Sequence, residues 1–499
     1  MNEESKIYEI LVQVFKKNWK TKFLSDCKTE KNFSYEEFFS MALRTKEKLQ
    51  ELGFKKNNTI CIIMTNSLEL AVLYFASLIM ELIVIPIDPK KGENEIKEML
   101  SLVSYNGIIF NIENLEFGEN KIRSDIFTNN LFEKKQSDYN ELNVFSEINY
   151  DRLYLITFTS GTTGIPKGVM HSFSNLVKSA IAFNKKFGFN EKNTFYHNLP
   201  MSYMAGILNL LVLPFICESK IVLGERFDIS KISNFWQLPI KYEVNTFWFI
   251  PTILSLLLKL DRGNDGIEHA KKNTILGCVG TAPLNYKTKI AFQEKYNISL
   301  YESYGLSETL FVTTNYPSND IPKSTGKLLD GVEITLSEEN EIEISVPWMF
   351  LGYANQEKNS FFKNKKYLAG DIGEIKDDFL FVTGRIKDLI IRGGVNISPK
   401  KIEDFISEIN VLDETVVVGL SDEHLGEKTV CFFVLKDKQD SSNLTKLINS
   451  QIIDKLGKDY YIDEFVELGA IPRNVNGKVD KNKIKLTYQN NSISKKENK

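Results

Sequence analysis

The sequence predicts an α/β fold: a large N-terminal part of several subdomains, one of them β-rich, followed by a small mobile α+β C-terminal unit. Three observations predict it. Apolar runs of strand length recur, helical periodicity fills several of the intervals between them, and after about Gly331 short alternating strands take over. At 499 residues, with 42% hydrophobic and 25% charged residues, the chain is long enough for more than one buried core and has an ordinary globular composition.

In chain order, helical periodicity covers Tyr35 to Leu52 and Leu68 to Met80, and strand-length apolar runs cover Thr59 to Met64, Ile83 to Ile87 and Gly107 to Phe110. Leu153 to Phe158, Lys220 to Leu223, Thr246 to Ile250 and Thr274 to Val279 continue the series. The stretch from Leu70 to Ile87 comes nearest to a membrane span, but Glu81 interrupts it and Pro86 and Pro89 close it, so a buried helix leading into a buried strand is expected. The alternating strands are Glu333 to Leu336, Glu341 to Val346 and Phe379 to Val382. Beyond the glycine-bounded segment GRIKDLIIRGG come a helix, Pro399 to Ile409, and strands at Glu414 to Leu420 and Thr429 to Leu435. The Asn-, Lys- and Ser-rich tail 489–499 is expected to be disordered.

Composition excludes several functions. A formal charge of −3 does not point to nucleic acid or an anionic membrane, which leaves small molecules as the expected partners. The five cysteines (27, 61, 217, 278, 431) are scattered and unpaired in spacing, as in a reducing cytoplasm, and the four histidines are too dispersed for a metal site. The start, MNEESKIYEI, lacks the basic opening and apolar core of a secretory signal.

The segment TSGTTGIPKG, Thr159 to Gly168, carries the chemistry. Its three glycines, four hydroxyls and one lysine suit a loop that holds polyphosphate, which makes ATP the expected ligand. Gly161 and Gly164 let the backbone approach an anion, Thr159, Ser160, Thr162 and Thr163 offer hydroxyls, and Lys167 adds a point charge. A Walker loop has glycine directly before the lysine and a hydroxyl directly after it; Pro166 and Gly168 stand there instead. The loop is expected between the strand ending at Phe158 and a helix beginning near Asn175.

Further segments follow in order: IVIPIDP (Ile83 to Pro89), YGLSET (Tyr304 to Thr309), LAGDIGEI (Leu368 to Ile375), GRIKDLIIRGGVNISPKKIE (Gly384 to Glu403) and PRNVNGKVDK (Pro472 to Lys481). Together they resemble the adenylate-forming superfamily of acyl-CoA synthetases, adenylation domains and luciferases over nearly the whole chain. The resemblance implies an N-terminal adenylation domain (1–384), a hinge (385–388) and a C-terminal lid domain (389–488). It implies Glu308 and Thr162 as ligands of Mg²⁺, and Glu302, Ser303 and Tyr304 beside the adenine. Asp371 would meet the ribose, Arg385 the sugar or phosphate, and Lys478 the reacting phosphorus. Lys387 would be the pivot, and Gly393 and Gly394 would line the thiol tunnel. Each also has a plainer reading: Glu308 as a turn residue, Asp371 as a turn-stabilising side chain, Lys387 and Lys478 as surface charge.

The implied activity is an AMP-forming acid–thiol ligase that turns a carboxylic acid into an acyl-adenylate and passes it to CoA. A carrier-protein phosphopantetheine is the alternative acceptor. Candidate pocket residues are Tyr203 and Gly206, Trp248 and Phe249, and Gly280, Thr281 and Ala282; core packing explains Trp248 and Phe249 equally well. Their aromatic and apolar character favours an aliphatic or aromatic acid, and PMSYMAG holds no acidic residue to pair the ammonium of an amino acid. Tyr203 and Phe173 stand where many relatives carry histidine, and Thr281 where a second glycine is frequent.

Overall fold

The computed structural model describes residues 3–113, 115–131, 138–159, 166–354, 362–364, 366–409, 412–436, 441–473 and 479–488. Two β-sheets organise the N-terminal part. The first runs in the order Gly352–Tyr353, Lys167–Ser172, Leu153–Thr159, Ile83–Ile87, Thr59–Ile63, Gly107–Phe110, Lys121–Arg123. The second has 14 strands, and its parallel centre places Ser299–Leu306 beside Leu276–Val279, then Thr246–Phe249, Thr194–His197, Lys220–Leu223 and Lys22–Asp26.

Sequence chemistry accounts for the helices between them. Helix Tyr35–Glu51 opens on a capping box, with Ser34 and Glu37 each accepting from the other's backbone N–H, and it buries Phe38, Phe39, Met41 and Ala42. Helix Phe173–Phe187 is capped by Ser172 and ends on Gly188, whose φ of 68° suits glycine. It buries Leu176, Val177, Ala180 and Phe183. Leu68–Ile79 is a buried helix that leads into the buried strand Ile83–Ile87, as expected. Glu81 between them is buried and paired with Lys56 and Arg152. Among the described residues, no helix is long and apolar enough to cross a membrane.

The β-rich region begins earlier than the sequence suggests. Leu310–Thr314 already pairs antiparallel with the end of Ser299–Leu306, and the antiparallel strands through Glu333–Leu336 extend the same large sheet. The strand 299–306 therefore changes partner type midway, with a register shift between Tyr304 and Gly305. The C-terminal domain has its own five-stranded sheet, with helices Pro399–Ile409 and Ser441–Leu456. Its core of Ile390, Ile402, Ile406, Val417, Phe433, Ile448 and Ile452 is separate from the N-terminal one. The tail 489–499 lies outside the described residues.

Candidate active site

The phosphate-loop segment joins two antiparallel strands, which corrects the expected strand-to-helix loop. Leu153–Thr159 pairs antiparallel with Lys167–Ser172, Thr159 stands opposite Lys167, and the helix begins only at Phe173. Ser160, Gly161, Thr162, Thr163 and Gly164 lie outside the described residues, but both arms are fixed. A β-carbon on Gly168 would stand 3.1 Å from Ala354 Cβ and from Ile156 Cγ2, so glycine lets Lys167–Ser172 pack closely here. Lys167 Nζ lies 5.1 Å over the Tyr353 ring, and His171 is fully buried, its Nε2 donating to the Ser307 carbonyl at 2.6 Å. That bond ties the hairpin to the turn carrying Glu308.

Glu308 sits in the turn between Ser299–Leu306 and Leu310–Thr314 and is only 9% exposed, so it is no solvated turn residue. The Tyr353 hydroxyl donates to its Oε1 at 2.7 Å and lies 3.1 Å from the Tyr367 hydroxyl. Burial and the Glu308 carboxylate raise both phenols above their ordinary range. A carboxylate held this way suits magnesium, which takes one or two protein carboxylates and completes its shell with phosphate oxygens and water. Among the described residues no cluster of three or more His, Cys, Asp or Glu would hold a metal by itself. Tyr353 and Tyr367 carry no local sequence signal; only the fold brings them to Glu308.

Asp371 is buried inside strand Lys366–Lys376, opposite Arg385, rather than in the turn expected after Gly370. Tyr304 donates to its Oδ2 at 2.7 Å, and Arg385 Nε pairs with its Oδ1 at 2.7 Å. Each oxygen keeps a lone pair, so the carboxylate can still accept from vicinal hydroxyls. Burial and the neighbouring carboxylate push the Tyr304 phenol well up. Next to it, Glu302 meets Lys289, whose fully buried Nζ is 3.5 Å from Glu302 Oε1 and 2.9 Å from Asp320 Oδ1. Burial raises the Glu302 carboxyl to about 7, against the pull of Lys289. Lys289 and Asp320 escape sequence reasoning because neither stands in a motif.

The three candidate pocket segments meet at the C-terminal ends of parallel strands, where open α/β sheets bind ligands. Tyr203 is half-buried, and Gly206, whose carbonyl lies 2.9 Å from His197 Nε2, has no room for a side chain: a β-carbon would stand 2.1 Å from the Pro200 oxygen. Trp248 and Phe249 point in opposite directions. Phe249 packs in the core against Phe247 and Phe292, whereas Trp248 turns to Phe183 and Phe311 beside Gly280. Thr281 adopts φ 72°, a strained conformation for a β-branched residue, and Ala282 beside it is half-buried.

Arg385 ends strand Phe379–Arg385, and Lys387 is exposed in the short turn Ile386–Asp388, where Lys481 Nζ pairs with Asp388 at 2.9 Å. Gly393 and Gly394, with φ of 58° and 83°, form the tight turn of hairpin 390–397. A β-carbon at either would meet nothing within 4 Å, so the turn's backbone requires them. Lys478 lies outside the described residues; on either side of that segment Arg473 bridges Val479, and Asp480 N donates to the Pro472 oxygen.

Residues 13–354 match the AMP-binding enzyme family, and residues 401–478 match its C-terminal domain. The 2-succinylbenzoate–CoA ligase of Listeria monocytogenes is 29% identical over 462 residues, 91% of this chain and 94% of the relative. The o-succinylbenzoate CoA synthetase of Bacillus subtilis, solved with its acyl-adenylate intermediate, superposes with a TM-score of 0.79 at 23% identity, over 95% of this chain and 97% of that one. ATP-bound MatB of Rhodopseudomonas palustris gives 0.81 at 21% identity, over 96% and 99%. The chain therefore belongs to the AMP-binding enzyme family and is an AMP-forming acid–thiol ligase.

Proposed function

We propose that this chain is a CoA ligase for an aromatic carboxylic acid, with 2-succinylbenzoate the first acid to try. The observation that carries it is the tie of the Thr159/Lys167 strand pair, through His171 and Ser307, to the tyrosine-held Glu308, with the Tyr304–Asp371–Arg385 chain on the adjoining strands. Sequence relatives named as CoA ligases support CoA over a carrier-bound thiol. A cytoplasmic site of action fits the five free thiols.

In the first step an oxygen of the acid attacks the α-phosphorus of ATP, the bond to the β-phosphate breaks, and pyrophosphate leaves. The loop 159–164 and Lys167 hold the phosphates, Asp371 the ribose, and the 302–304 segment the adenine, with Arg385 between sugar and phosphate. Magnesium on Glu308 and Thr162, when bound, neutralises phosphate charge. Lys478 brings a cation to the phosphorus as charge develops. In the second step the CoA thiolate attacks the acyl carbonyl and AMP leaves with the bonding pair. The domains 1–384 and 389–488 exchange orientation about 385–388 between the steps, with Lys387 as pivot and the turn at Gly393 and Gly394 beside the incoming thiol. The test is acid-dependent exchange of labelled pyrophosphate into ATP across an aromatic panel, then AMP release with and without CoA. Exchange that CoA never converts to thioester would refute the acceptor, and no exchange with any acid would refute the whole assignment.

A further inference from the structure

We propose that His171 is a positioning residue for adenylation: through the Ser307 carbonyl it sets where the Glu308 carboxylate stands relative to Lys167 and the phosphate-binding segment. The inference rests on the metal role proposed above for Glu308 and adds the group that places it. His171 is fully buried in strand Lys167–Ser172, and its Nε2–H donates to the Ser307 carbonyl at 2.6 Å. On the other side of the ring, Asn175 Nδ2 lies 3.4 Å from Nδ1 and donates to the Met349 carbonyl at 2.8 Å. Both ends of this chain are carbonyls, which only accept. The amide therefore gives one hydrogen to Met349 and turns the other to Nδ1, and the ring carries its single proton on Nε2. Burial lowers the imidazole to about 4, so the ring is neutral near pH 7, as that arrangement requires.

The clasp closes on Glu308 from both sides. Ser307, whose carbonyl His171 holds, precedes Glu308, and the Glu308 carbonyl accepts from Phe350 N, next to Met349, at 3.0 Å. Leu351 N donates to the Met170 oxygen and Ala354 N to the Gly168 oxygen, both at 2.8 Å, so segment 349–354 runs along the strand that carries Lys167. From this segment Tyr353 reaches Glu308 Oε1. Groups that orient a metal-binding side chain typically matter about 10- to 100-fold in metal affinity or rate. His269 shows the same motif elsewhere: its Nε2 donates to the Val244 carbonyl at 2.7 Å, and Asn273 Nδ2 lies 3.3 Å from its Nδ1. That pair ties helix Asp265–Lys272 to the start of strand Thr246–Phe249, the end opposite the pocket residues, and so provides a control.

The test titrates magnesium in pyrophosphate exchange with 2-succinylbenzoate, or with the panel acid that exchanges fastest. His171→Leu is expected to raise the magnesium needed for half-maximal exchange and to lower the exchange rate, each about 10-fold or more. Thioester formation from purified acyl-adenylate and CoA, which follows the departure of pyrophosphate, should stay within about 2-fold of the wild type. His171→Gln, whose amide nitrogen can take the Nε2 position and donate to Ser307, should return magnesium dependence and exchange to within about 3-fold. His269→Leu should lower the melting temperature without moving the magnesium dependence. Wild-type magnesium dependence in His171→Leu, equal losses in the two half-reactions, a shift that His269→Leu reproduces, or a glutamine variant no better than leucine would overturn the positioning role and leave acid activation intact. An unchanged magnesium requirement in Glu308→Gln would overturn the metal role and this inference together; no exchange with any acid would overturn acid activation as well. If His171→Leu does not fold, His171→Asn takes its place with the same expected shifts. Its amide ends near the Nδ1 position, which keeps a partner for Asn175 but falls short of Ser307.

Discussion

Glu308 presents a carboxylate whose Oε1 accepts from Tyr353, a bond that a glutamine oxygen can also accept. Glu308→Gln should therefore keep the fold, shifting the melting temperature by a few degrees at most, while lowering pyrophosphate exchange about 100-fold and raising the magnesium needed for half-maximal rate. A variant that exchanges normally would remove Glu308 from the metal role. Glu302 allows a test of stability. Its carboxyl is raised to about 7 when folded, against about 4.3 unfolded, so the folded state binds more protons between those values. Stability from this group is present at low pH and lost as pH rises through 7, on the order of 3 kcal/mol when ionisation is complete. Glu302→Gln leaves Lys289 bonded to Asp320, so its melting temperature should gain on the wild type as pH moves from 5.5 to 8. A difference that stays flat over that interval would show that Glu302 titrates normally.

At the scale of elements, the turn carrying Glu308 depends on close backbone contact. A β-carbon on Gly305 would stand 1.9 Å from the Leu310 oxygen across the strand pair, so Gly305→Ala must separate the strands and should cost about 3 kcal/mol or more in urea unfolding. An unchanged midpoint would mean that this pairing is loose. Continuous apolar runs were legible from sequence because burial on both faces needs no partner to be recognised: Ile83–Ile87, Gly107–Phe110 and Lys220–Leu223 form as expected. KGVMHS was not legible, since lysine, glycine and serine break the pattern and only pairing with Leu153–Thr159 makes it a strand. Lys366–Lys376, interrupted by Gly370 and Gly373, escaped for the same reason and carried Asp371 out of the expected turn. Site residues in glycine-rich motifs could be found locally, whereas Tyr353, 45 residues from Glu308, needed the folded sheet. Of Trp248 and Phe249, alternation says that they face apart but not which one packs against Phe292 and which against Phe183.

At the scale of the molecule, the two domains meet through charge near Arg473. Lys259, on helix Pro251–Leu260 of the N-terminal domain, pairs with Asp413 at 2.8 Å and Glu414 at 2.7 Å, and Glu414 also pairs with Arg473, which bridges Val479. These groups are partly exposed, so their effect is modest and sensitive to salt. Glu414→Gln is expected to slow pyrophosphate exchange about 3- to 10-fold at low ionic strength, with the deficit narrowing in ~0.5 M salt. A deficit independent of salt would argue for a purely structural role. We propose that Lys478 travels to the phosphate-binding segment near residue 160 for adenylation and withdraws for thioester formation. Lys478→Ala, assayed in both half-reactions, tests it most directly: exchange should fall about 100- to 1,000-fold while purified acyl-adenylate and CoA still give thioester at close to the wild-type rate. Equal losses in the two half-reactions, or no loss in either, would contradict it.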